Sequence, residues 1–240
     1  MQRLYDRCRP FFAHSTFRIL FVLNVLLGLA YSFIAPFMSM FGTLEVGMSK
    51  MRFGIFMTLT ALSGIVIGTT LARYSDTHFS RRTMLLWGSI SGVVGYIGFA
   101  YCRSFLPLLL IGTLVLGLST VTFSQLFAYA REVLERTAID PVQRVFYMNT
   151  FRMFFALSWT VGPMIASWVM LRFSYRGLFL CAAANFALFA LVVLKTVPAT
   201  RPLFARQASQ SSQTLFKILR RVASQPKYSI NGSSKTGATL

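Results

Sequence analysis

One full charge, Arg152, stands in the apolar stretch 146–170, FYMNTFRMFFALSWTVGPMIASWVM. Asn149, Arg152, Ala156, Trp159 and Pro163 recur at three- and four-residue steps, which puts them on one face of a helix. An amide, a guanidinium, an indole and a proline kink do not make bond-breaking chemistry. They supply a hydrogen-bond donor, a cation and an indole on one surface. An arginine at the centre of a spanning helix costs about 2.5–3.5 kcal/mol, so it is normally functional or paired. Two readings stay open. Either the face is the wall of a polar cavity, or Arg152, about two turns in from Val145, snorkels its guanidinium back to the headgroups.

Two further faces carry polar groups of the same kind. Asn24, Gly28, Tyr31 and Ala35 share one face ahead of Pro36, and Thr122, Gln125 and Tyr129 share another that Glu132 continues. Amides and phenols both donate and accept hydrogen bonds, as a neutral polyol requires. Such residues also hold helices together in lipid. The candidate substrate-facing set is Asn24, Tyr31, Gln125, Asn149, Arg152 and Trp159. Catalytic residues are not expected: there is no HExxH, no pair of intramembrane acids and no nucleophile beside a base. No metal site is expected of His14 and His78, which lack a second ligand at metal spacing. Cys8, Cys102 and Cys181 read as free thiols, and nothing implies a cofactor.

The elements that must position these faces are membrane spans. Of the 240 residues 55% are hydrophobic and only 12% charged, with a mean hydropathy of +0.60. Soluble domains carry about a quarter charged residues. The apolar residues form blocks of the length that crosses a bilayer, at 17–40, 53–72, 83–101, 105–130, 146–170 and 177–197. The sequence therefore predicts an all-α integral membrane protein of six transmembrane helices. It divides into a basic N-terminus (1–16), the six-helix domain (17–197) and a tail (198–240). The first span is too long for a cleaved signal core and is read as retained.

The formal charge of +18 follows the topology rather than a nucleic-acid surface. Eighteen of the 24 Lys and Arg residues fall on one side of the six spans and five on the other. Positive-inside counting places both termini in the cytoplasm. On that side, the loop Ala72–Arg82 carries Asp76 among basic residues, and Asp76 is placed to pair with Arg131, as a gate or as a solvated loop. Glycines at four-residue steps (Gly64 and Gly68; Gly88 and Gly92) read as helix-packing seams. All six acids are assigned to loops or edges, leaving no intramembrane carboxylate for ion coupling. In the tail, TLFKILRRVA reads as a basic amphipathic helix on the inner leaflet, followed by a segment without periodicity.

Asp76, Arg81 and Arg82 resemble the loop between helices two and three of the major facilitator superfamily, with Ala72 and Phe79 standing where that signature has glycine. Gly162-Pro163 resembles the core of the antiporter motif on helix five of its efflux members. FAYARE (Phe127–Glu132), Arg152, ALSWTVGP (Ala156–Pro163) and the pattern Pro36…Ser39…Phe41 leading to Glu45-Val46 resemble the bacterial sugar efflux transporters. The resemblance covers roughly residues 15–197. It implies half of a twelve-helix bundle that exports sugars or glycosides by rocking around a midplane site. It also implies a bacterial inner-membrane location, protons as the driving ion, and a gating set of Asp76, Arg81, Arg82, Arg131, Gly162 and Pro163. Expected partners are lipid, a small-molecule sugar, and a second six-helix half or a second copy. Export of amphipathic drugs, or an inactive truncated half, are the alternatives.

Overall fold

The computed structural model of the chain describes residues 15–137 and 140–198, the side chains of 15–16 and 72–78 aside. The predicted tail helix and the basic N-terminus up to residue 14 lie outside the described residues. All described secondary structure is helical. Lipid offers no partner to a backbone N–H or C=O, so apolar blocks of this length satisfy themselves internally.

Five helices are long and apolar enough to cross a membrane: α1 (Phe17–Glu45), α2 (Lys50–Leu71, running on to His78), α3 (Arg81–Tyr101), α4 (Phe105–Arg136) and a 56-residue element, Pro141–Thr196. A straight helix of that last length would be about 84 Å long. It breaks at Ser174, whose φ of 58° and ψ of −171° lie outside the helical region. The two limbs, α5 (141–173) and α6 (175–196), run in opposite directions. Along α5, Tyr147, Phe151, Ser158 and Gly162 meet Phe17, Asn24, Gly28 and Ser32 in turn, a parallel course beside α1. Along α6, Phe179, Phe186 and Leu194 meet Phe99, Tyr96 and Arg82, an antiparallel course beside α3. Ser174 thus supplies the turn between the fifth and sixth expected passes.

Several helices outrun their predicted ends. α1 continues past Met40 through a 3-10 turn at Ala35–Phe37, where Pro36 sits, and a π-helical turn at Phe41–Glu45. The expected loop at Ala72–Arg82 is helical to His78, so only Phe79 and Ser80 make the turn. Ser80 Oγ then accepts from the Thr83 amide at 3.1 Å and caps α3. Asp140 does the same for α5, accepting from the Val142 amide at 3.1 Å, with Pro141 at the first helical position. Apolar runs mark where hydrocarbon ends, whereas helices carry on into the headgroup layer on charged residues.

The helices pair crosswise: α1 on α5, α2 on α4, and α3 on α6. The small-residue seams form as expected. Thr120 of α4 sits against Gly64 and Gly68 of α2 and donates to the Gly64 carbonyl at 3.1 Å. Gly88 of α3 faces Thr122 of α4, and Gly92 faces the Phe186 ring of α6. The α1–α5 seam is reciprocal, with Gly28 against Ser158 and Gly162 against Ser32. A Cβ added at Gly28 would come within 2.6 Å of Ser158 Cβ, while Gly54 has open space around it. Gly28→Ala is therefore expected to destabilise the bundle by about 1–3 kcal/mol through overpacking. Gly54→Ala should be neutral or stabilising by up to ~1 kcal/mol through helix propensity. Unfolding of both variants in detergent, followed by circular dichroism, checks the opposite signs.

Candidate functional site

The α1 seam divides α5 into two sides. On the packed side, Asn24 Nδ2 donates to the Phe151 carbonyl at 2.6 Å, and Phe151, Ser158 and Gly162 are buried. On the other side Asn149, Arg152, Ala156 and Trp159 are exposed, the indole to 42%. Pro163 stands inside the helix at the end of this strip. Arg152 and Asn149 line a groove of about 330 Å³ between the C-terminal end of α4 and the N-terminal end of α5, together with Arg131, Glu135 and Arg144. Arg152 has no hydrogen-bond or ion-pair partner among the described residues.

The face of α4 expected to join this strip turns the other way. Gln125 is 2% exposed and its Oε1 accepts from Arg81 Nη1 at 2.6 Å. Arg81 Nε lies 3.5 Å from Glu132 Oε2, and Arg136 Nη2 lies 2.8 Å from Glu132 Oε1. Thr122, Gln125, Tyr129 and Glu132 are all buried, with Thr122 against α3 at Gly88 and Gln125 and Glu132 against its Arg81. Gln125 thus belongs to a buried polar lock and does not line the Arg152 groove. Glu132, expected at the membrane edge, is a buried residue inside α4 held between two arginines. Continuation of α4 to Arg136 puts it there.

The remaining candidates separate. Asn24 is fully buried and bonded to backbone, and its Oδ1 has no partner among the described residues. Tyr31 donates to the Ser119 carbonyl at 3.0 Å and lines a cavity of about 240 Å³ with Thr60, Tyr96, Phe99, Ser119 and Thr120. That cavity opens where α4 is irregular, through a π-helical turn at Ile111–Leu116 and a turn at Thr120. Of the gating set, Arg82 Nη2 donates to the Leu194 carbonyl of α6 at 2.9 Å. Arg131 Nε meets Glu135 Oε1 at 3.0 Å within its own helix, and the Asp76 side chain lies outside the described residues. At the opposite end Arg103 pairs with Glu45 at 3.1 Å and lies over the Phe41 ring, closing α1 onto the start of α4. The sequence reading missed that contact, although each residue stands beside the end of a predicted span.

A six-helix bundle with crosswise pairs, interrupted α1 and α4 and a polar strip left open has the architecture of half of a twelve-helix carrier fold. The chain belongs to the Major Facilitator Superfamily, whose sequence profile matches residues 20–231. It is 35% identical over 170 residues to a candidate sugar efflux transporter of Deinococcus radiodurans, covering 71% of this chain and 43% of that one. It is 33% identical over 183 residues to sugar efflux transporter A of Dickeya chrysanthemi (75% and 46%), and 30% over 173 residues to that of Escherichia coli (72% and 43%). The chain thus spans less than half the length of these relatives. Its fold is similar to the crystal structure of a peptide transporter POT in complex with alafosfalin. There the TM-score is 0.63 at 15% identity, over 87% of this chain and 46% of that one.

The two arginine pairs differ in burial, and their removal should differ accordingly. Arg81→Gln removes the buried partner of Glu132 and is expected to cost about 3–5 kcal/mol. Arg131→Gln, at an exposed pair on the surface of α4, should cost less than about 1 kcal/mol. Chemical unfolding of both variants in the same micelle measures the gap.

Proposed function

We propose that this chain forms one six-helix half of a carrier that exports sugars or glycosides by alternating access against a second six-helix half. The observation that carries the reading is the exposed α5 strip of Asn149, Arg152 and Trp159, opposite a side tightly seamed to α1. A partnerless guanidinium has no place against hydrocarbon, but it suits a water-lined pathway between two halves. The strip offers donors for hydroxyl groups and an indole plane for the apolar face of a sugar ring. Tyr31, Tyr96 and Thr60 of the upper cavity add rings and a hydroxyl to the same task. The relatives named as sugar efflux transporters favour this cargo over amphipathic drugs. The carrier sits in the bacterial inner membrane with both termini cytoplasmic, as the loop charges direct.

Protons are the coupling ion in this reading, and Glu132 is the one described acid buried in a helix. In this reading it belongs to the gate at the cytoplasmic end, where its pair with Arg81 holds α4 against α3. Gly162 and Pro163 act with it by letting α1 and α5 slide at close approach. No conversion of the cargo is involved.

The test is retention of a labelled disaccharide by cells that express the chain with its second half. Arg152→Ala is expected to reduce export at least about tenfold, equivalent to ~1.4 kcal/mol. Membrane insertion, read by protease protection of the loops, should be unchanged. Undiminished export by that variant contradicts the reading and leaves Arg152 as a headgroup anchor.

A further inference from the structure

The groove at the cytoplasmic ends of α4 and α5 has a composition that sugar recognition does not need. Three arginines, Arg131, Arg144 and Arg152, line it with one acid, Glu135, which pairs with Arg131. Asn149 adds an amide, and Leu134, Val145 and Met148 supply an apolar wall. The charges come from three turns of α5 and the last turns of α4, so backbone rather than flexible loop holds them apart. A neutral polyol asks for mixed donors and acceptors, whereas this groove presents chiefly cationic donors. Guanidinium groups match the oxygens of a phosphate in paired, charge-assisted hydrogen bonds. Basic pockets between helices on the cytoplasmic side of a membrane take anionic headgroups, and apolar side chains beside them accommodate the stem.

We infer that this groove is a binding site for a phosphate ester, held by Arg131, Arg144 and Arg152. The groove, at about 330 Å³, has room for a phosphate with its glycerol or sugar. Two sources share that chemistry: the headgroup of an inner-leaflet phospholipid and a soluble sugar phosphate. The inference concerns binding to this half alone and stands whether or not neutral sugars are exported.

Native mass spectrometry of the full chain in micelles tests it, with phosphatidylglycerol and phosphatidylcholine as probes. Phosphatidylglycerol should bind more tightly than phosphatidylcholine. Arg144→Gln and Arg131→Gln should each weaken that binding about fivefold, and the pair about thirtyfold, if each arginine contributes as basic residues near an anionic leaflet do. Arg176→Gln removes the same charge at the opposite end and should change binding less than twofold; its side chain lies over the Tyr101 ring, away from the groove. Displacement of the lipid by glucose 6-phosphate but not by glucose would name the soluble ester as occupant. Resistance to both, with the arginine dependence intact, would name the lipid. Equal binding of the two lipids, or equal losses in all three single variants, overturns the site.

Discussion

Hydrocarbon accepts neither an unpaired charge nor an unsatisfied backbone group, and the polar residues of this chain sort themselves by how they meet that demand. Arg81 and Glu132 meet it by pairing in the interior, where Gln125 also accepts from Arg81 and Arg136 also pairs with Glu132. Asn24 meets it by donating to the backbone of the neighbouring helix, and Tyr31 by donating to a carbonyl beside the irregular turns of α4. Arg152 does neither. It lies exposed on the outer side of α5, and on that difference rests the proposal that the pathway runs along α5 rather than α4.

The same constraint shapes the packing. Helices in lipid gain nothing from hiding apolar surface, so close approach at small residues does the work. Gly28 and Gly162 bring α1 and α5 together, Gly64 and Gly68 do so for α2 and α4, and Gly92 for α3 and α6. Crosswise pairing of this kind buries α1 and α3 most deeply and leaves α2 the least covered. The outer side of α5 and nearly all of α2 are then among the surfaces open to lipid or to a second half.

Much of this was legible in the residues. Block length and composition fixed the number of helices, and the glycine steps located the seams, because both signals are local. The two helical limbs of the 56-residue element show why the reading of passes held: the interruption Arg172-Phe-Ser-Tyr-Arg176 is polar enough to mark a turn even though only Ser174 leaves the helix. What could not be read was direction. Gln125 and Arg152 have equal claims to an inward face by spacing alone, and only the packing of α4 on α3 reveals that Gln125 answers Arg81. The helix ends were set too short for a related reason, since Asp76 and Glu132 look like loop residues when apolarity is the sole guide.

Water accessibility of the α5 strip tests the account most directly. In a chain whose three native cysteines are replaced by serine, a cysteine placed at Asn149 or Trp159 would be challenged with a membrane-impermeant maleimide, beside one placed at Ile90, exposed on α3. The account predicts that 149 and 159 react in the assembled carrier while 90 stays protected by lipid. Protection of all three, with quenching at 149 and 159 by brominated acyl chains, would contradict it and make the strip a lipid-facing surface.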